Sequence, residues 1–125
     1  MLRLVLKVKT LFFIINKSLQ GNVCGQEFLD MALMAAAFDQ KVVLLFEGEG
    51  VNALVKNQCP EGVGLKNILP ILNALPIYDI NDVWVEKESM EVWGLVEEKL
   101  EISVKSISRE VIKKQINAAD HVFSF

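Results

Sequence analysis

The sequence predicts an α/β protein: a small, doubly wound, mainly parallel sheet with helices on both faces. Short β-rich apolar runs recur along the chain. They are continuous rather than alternating, as in strands buried on both faces. Segments of helical pattern stand between them, and strand–helix alternation is the mark of a parallel sheet. The length of 125 residues, 52% of them hydrophobic, suits one domain over residues 1–125. A chain of this size buries roughly two-thirds of its unfolded surface, with no need of a disulfide or metal.

The elements follow in order. Lys9 to Asn16 holds Leu11-Phe12-Phe13-Ile14-Ile15, the first buried strand. A loop with Gly21 and Gly25 leads to a helix over Gln26 to Phe38, with Glu27 and Asp30 placed to meet its positive end. Lys41 to Phe46 is the second strand, ended by Gly48 and Gly50, and Val51 to Lys56 is a short helix. After Cys59-Pro60 a helical stretch runs from Lys66 to Leu75, with Pro70 marking its first turn or a kink. Asp82 to Val85 and Glu101 to Ile107 are the third and fourth strands. Ser108 caps a helix from Arg109 to Ala118, and His121 to Phe125 is the last strand.

Composition excludes several function classes. A net charge of −3 gives no basic excess for nucleic acid or an anionic membrane. The longest apolar runs, Leu11–Ile15 and Met31–Phe38, fall short of the ~18 residues of a membrane span. Arg3, Lys7 and Lys9 are interleaved with apolar residues, and no small-residue cleavage site follows, so an export signal is not expected. Cys24 and Cys59 lack C-x-x-C spacing and fit reduced thiols in the cytoplasm. The mean hydropathy of +0.34 is high for a soluble domain and fits a buried subunit contact. Met31-Ala32-Leu33-Met34-Ala35-Ala36-Ala37-Phe38 is apolar on every side. A helix on a sheet ordinarily keeps a polar stripe, so a second covering surface is expected at Met31, Met34, Ala37 and Phe38. Either a neighbouring helix of the same chain or another subunit supplies it.

The chemical motifs are sparse. Gly48-Glu49-Gly50-Val51-Asn52-Ala53 fits G-x-G-x-x-A between strand and helix, the form of a small-ligand or nucleotide loop. Glu47 and Glu49 would set two carboxylates against a phosphate, which favours a plain turn. Cys24 stands just before a helix, where a thiolate gains from the dipole, but no histidine is near it in sequence. Cys59 has less chemical context still. His121, the single histidine, has no cluster with which to build a metal site. Six glutamates between Glu86 and Glu101 form either an acid–base pair or a solvated acidic face, the second being the commoner arrangement. No serine-nucleophile elbow is present. Composition and motifs therefore show no self-contained catalytic residue, cofactor or metal.

Taken in order, the segments resemble the DsrE/DsrF-like sulfur-relay family, most closely its TusC/DsrF-type subunit. The resemblance runs from about Lys9 to Phe125. It rests on Gly21, Gly25-x-Glu27-x-Leu29-Asp30, Gly50-Val51, Gln58-x-Pro60, Leu75, Tyr78-Asp79-Ile80, Trp84-Val85, Gly94-Leu95, Asp120 and Phe125. The resemblance implies a small doubly wound fold and a heterohexamer with TusB-like and TusD-like paralogues. That complex passes persulfide sulfur toward 2-thiouridine at the tRNA wobble position; the related DsrEFH complex serves sulfur oxidation. The sulfur-carrying cysteine is expected chiefly on the TusD/DsrE-like chain. Here Glu86 follows the third strand, where relatives of the TusC type often have cysteine, and a carboxylate cannot hold a persulfide. No catalytic residue carries over. Cys24 is left as a weak thiol candidate for direct sulfur transfer.

Overall fold

A computed structural model describes residues 8–17, 23–55 and 69–125. Thr10–Ile15 forms β1, Val23–Ala37 α1, Lys41–Phe46 β2, Leu69–Ala74 α2, Asp82–Glu86 β3, Lys87–Val92 α3, Lys105–Ile107 β4, Arg109–Ala118 α4 and His121–Ser124 β5. The five strands make one sheet in the order β4-β3-β2-β1-β5, and every pairing is parallel. The expected fold class is the observed one.

Strand parity divides the core into two layers, because successive side chains leave a strand on opposite faces. Leu11, Phe13 and Ile15 of β1, Val42, Leu44 and Phe46 of β2, and Val83 and Val85 of β3 face one layer. There they pack on Phe28, Leu29 and Ala32 of α1, Leu72 of α2 and Met90 of α3. Ile14 and Leu45 face the other side, where Ile112 of α4 buries against them with Trp84 and Ile116 alongside. Phe12 meets Trp84 edge-on at 5.4 Å between ring centres. Among the described residues α4 is the helix on this second face, and it carries the chain from β4 across the sheet to β5 beside β1.

Several boundaries differ from those the sequence suggests. The α1 helix starts at Val23, so Glu27 and Asp30 lie beyond its first turn and gain little from the dipole. Gly48–Leu54 is a 3-10 helix rather than an α-helix beginning at Val51. The fourth strand is only Lys105–Ile107, because Leu100 instead bridges Val55 and the backbone N–H of Glu101 donates to Leu54. The helix expected at Lys66–Leu75 is seen from Leu69, and Leu75–Tyr78 continues as a 3-10 turn. Ser108 caps α4 as expected, its Oγ accepting from Val111 N–H. Asp120 ties the C-terminal strand to the first: its carboxylate accepts from Thr10 N–H at 2.8 Å, and its own N–H donates to Thr10 O at 3.0 Å.

Candidate functional site

Parallel strands all end on one edge, and ligands in open α/β sheets gather there. Register decides which side chains meet on that edge. Ile15 pairs with Phe46 and Phe46 with Val85, so Asn16, Glu47 and Glu86 come level, one residue beyond. Parity turns all three toward the α4 face. Glu86 pairs with Ile107, and the chain enters α4 two residues later at Arg109. A pocket of about 380 Å³ results, lined by Glu47, Gly48, Glu86, Ser89, Trp93 and Arg109 among others.

Glu86 lines this pocket and is only 5% exposed. Arg109 Nε donates to its Oε2 at 3.2 Å and Nη2 to its Oε1 at 3.0 Å. This is the forked geometry that guanidinium offers a carboxylate. Ser89 Oγ donates to Oε1 at 2.6 Å and accepts from Gly48 N–H at 2.8 Å. One hydroxyl therefore links the end of β2 to the end of β3. The backbone N–H of Arg109 is taken by both oxygens of Glu88, at 3.0 and 3.2 Å. Arg109's hydrogen bonds hold the Glu86 carboxyl below the usual carboxylate range, and burial works against them. Glu47 is displaced the other way: burial raises its pKa, the charge of Glu86 adds to this, and Arg109 opposes it.

The other sequence candidates scatter. Cys24 lies in the first turn of α1, inside the helix rather than before it. Cys59 lies outside the described residues, as do Gly21, Gln58 and Pro60. His121 opens β5, exposed, its ring 6.4 Å from that of Phe123. The Gly48–Ala53 turn uses its glycines for internal packing. Gly48 has φ +54, and Gly50 lies so close to β1 that a Cβ there would run into the carbonyl of Ile15. Gly50 N–H closes the turn onto Glu47 O at 2.9 Å. Among the described residues no group of three or more His, Cys, Asp or Glu side chains is arranged to hold a metal ion.

The glutamates of the Glu86–Glu101 segment read in sequence as a solvated face, and no motif there points to Arg109 or Ser89. Its first glutamate is buried, and α3 occupies Lys87–Val92. A serine three residues after a glutamate was the available signal.

The second feature of note is apolar. Met31, Met34 and Phe38 on the outer flank of α1 join Phe13 of β1 and Phe123 of β5 around a groove of about 270 Å³. Met34 is 62% exposed and Phe38 71%. Ala37 is exposed beside them. No described element of this chain covers that flank.

The pattern that defines the DsrE/DsrF-like family matches residues 9–125. The chain belongs to the DsrE/DsrF-like family. Among its relatives, the intracellular sulfur oxidation protein DsrF of Allochromatium vinosum is 31% identical over 132 aligned positions, covering 94% of this chain and 97% of that protein. A TusC homolog of Vibrio parahaemolyticus is also 31% identical, covering 92% of this chain and 98% of that one. In structure the chain is similar to the ychN protein of E. coli, with a TM-score of 0.76 at 20% identity, over 95% of this chain and all of that one. That likeness supports the family's fold. Among the described residues no helix is long and apolar enough to cross a membrane.

Proposed function

We propose that this DsrE/DsrF-like chain is a subunit of a cytoplasmic, TusBCD-like sulfur-relay complex, and that it carries no sulfur itself. In this reading it acts as one domain over residues 1–125. The observation behind the reading is Glu86. It stands at the end of β3, where the resemblance to TusC-type chains leads one to expect a cysteine, and Arg109 and Ser89 hold it as a buried carboxylate. A persulfide needs a thiolate sulfur to attack and retain it, so the chemistry is assigned to a paralogous TusD-like chain. The TusC homolog of Vibrio parahaemolyticus supports a relay ending in 2-thiouridine on tRNA. With a net charge of −3, this chain is expected to leave contact with the tRNA to other components.

The apolar flank of α1 is the proposed contact with TusB-like and TusD-like partners in a heterohexamer. Exposed methionines and an aromatic residue around a groove suit a buried hot spot. Co-expression with such chains, followed by native mass spectrometry, tests the assembly. A heterohexamer is expected, and purification of this chain without either partner defeats the proposal.

The likeness to DsrF of Allochromatium vinosum favours a second reading, a subunit for intracellular sulfur oxidation. Measuring 2-thiouridine in tRNA from a strain lacking this chain separates the two. Its loss supports the relay to tRNA, and unchanged 2-thiouridine supports sulfur oxidation. Direct transfer through Cys24 is a third reading, carried only by its place in the first turn of α1. Persulfide trapping and peptide mapping after exposure to a sulfur donor test it, and an unlabelled Cys24 ends it. A nucleotide module at Gly48–Ala53 is disfavoured, since Gly48 N–H and Gly50 N–H are both engaged within the chain.

A further inference from the structure

We infer that Glu86 is a built-in anion occupying an otherwise complete anion site, which keeps a partner's sulfur anion from docking on this subunit. The sulfur anion, a thiolate or persulfide, rests on the relay reading above; the occupied site itself does not.

Without the Glu86 carboxylate, the donors that remain form a receptor. Arg109 offers Nε and Nη2 in a parallel fork, now 3.2 and 3.0 Å from the two carboxylate oxygens. Ser89 offers a hydroxyl, at 2.6 Å from one of them. That hydroxyl is oriented from behind by Gly48 N–H, which leaves its proton free to point only toward the anion. The three donors converge on a group that is 95% removed from solvent by the 5% exposure of Glu86. A guanidinium fork joined by a hydroxyl is what binds carboxylates and oxyanions in proteins, and here it closes on a buried position although the Arg109 side chain is itself 57% exposed. It opens onto a pocket wide enough for a small ligand, about 380 Å³. In the native chain every one of these donors is answered from within, so an arriving anion meets a filled site, with Glu47 as a further carboxylate on the rim.

The tethered carboxylate has a large advantage over any free competitor, because its ordering cost is met on folding. Its removal is therefore the informative change. Glu86→Ala empties the carboxylate position and leaves Arg109, Ser89 and Gly48 in place.

The test is titration of the full chain with sodium thiosulfate, and separately with acetate, followed by amide chemical shifts at constant ionic strength. Glu86→Ala is expected to show saturable shifts at Gly48, Ser89 and Arg109, with affinity at least about tenfold above the native chain. Adding Arg109→Ala to Glu86→Ala is expected to abolish them. Equal affinity of the native chain and Glu86→Ala overturns the inference. So does binding that survives loss of Arg109, or a cooperatively folded Glu86→Ala that binds neither anion.

If Glu86→Ala folds only when anion is added, that rescue is the same binding read through stability. Glu86→Ser then supplies the second arm, since it removes the carboxylate, leaves its position open to an added anion and keeps a small polar side chain. A melting temperature that rises with thiosulfate in Glu86→Ser, and not in the native chain, supports the inference. No rise in either variant overturns it. Neither titration uses a relay partner. A missing TusD-like partner with positive anion binding sinks the proposed function alone, and a negative titration of the chain beside a heterohexamer that still assembles sinks this inference alone.

Discussion

Glu86 and Arg109 meet through two hydrogen bonds, Nε to Oε2 at 3.2 Å and Nη2 to Oε1 at 3.0 Å, across the ends of β3 and β4. The carboxylate is buried, while the Arg109 side chain is 57% exposed. The pair is therefore asymmetric: its importance lies in what Glu86 would lose without a partner. A buried carboxylate without its cation is strongly disfavoured.

The pH dependence of stability follows from that pair. The folded pKa of Glu86 lies below its ordinary value. Its contribution is present above the unfolded carboxylate pKa of about 4.3 and is lost as pH falls through the folded value. Arg109→Ala is expected to lower the melting temperature at pH 7. The difference from the native chain should shrink as pH is taken from 7 toward 3. A difference that stays constant over that range counts against the pair as the cause.

Glu47 has the opposite sign. Its pKa is raised, chiefly by burial and then by Glu86. Its favourable contribution is complete below the unfolded pKa and disappears as pH rises through the folded value, leaving a penalty at neutrality. Glu47→Gln should melt higher than the native chain at pH 7 and lose that gain as the pH approaches 4. Thermal scans across this range are sufficient, and a Glu47→Gln variant with no gain at pH 7 contradicts the assignment.

Gly50 and Gly94 give a matched pair for chemical denaturation. A Cβ at Gly50 meets the Ile15 carbonyl group, with its carbon at 2.8 Å, whereas one at Gly94, at φ +64, meets nothing within 4 Å. Gly50→Ala must shift backbone in a packed core, at a cost of about 3 kcal/mol or more. Gly94→Ala bears only its left-handed conformation, about 1 kcal/mol. Equal urea midpoints for the two variants would falsify the close approach of this turn to β1.

The α1 flank is tested by Met34→Glu and Phe38→Glu. Both side chains are largely exposed, so folding stability is expected to change by about 0.5 kcal/mol or less. Each substitution should nevertheless abolish co-purification of TusB-like or TusD-like chains, since a charge in an apolar contact is left unpaired. Retention of the heterohexamer by both variants removes this flank from the interface.

Much of this molecule was legible residue by residue. Leu11–Ile15 and Val42–Phe46 are strands that their own apolar continuity reveals. Ser108 announces α4, and the apolar excess of Met31–Phe38 announces a surface in need of a second cover. These are local properties: each is written in one segment and needs no knowledge of any other. Glu86 was legible only as a residue out of place for a sulfur carrier.

What Glu86 does there was decided by tertiary structure. Its partners Ser89 and Arg109 lie 3 and 23 residues away, and Gly48 reaches Ser89 across 41. No periodicity encodes such separations. They close because β2, β3 and β4 pair in one register and end on one edge, and because parity turns Glu47 and Glu86 toward the helix that begins with Arg109. The sequence by itself determined the two central buried strands, the capped helix and the absence of a thiol at the end of β3. Only the fold determined that the residue in its place is a buried, ion-paired carboxylate, since burial and pairing are properties of several segments together.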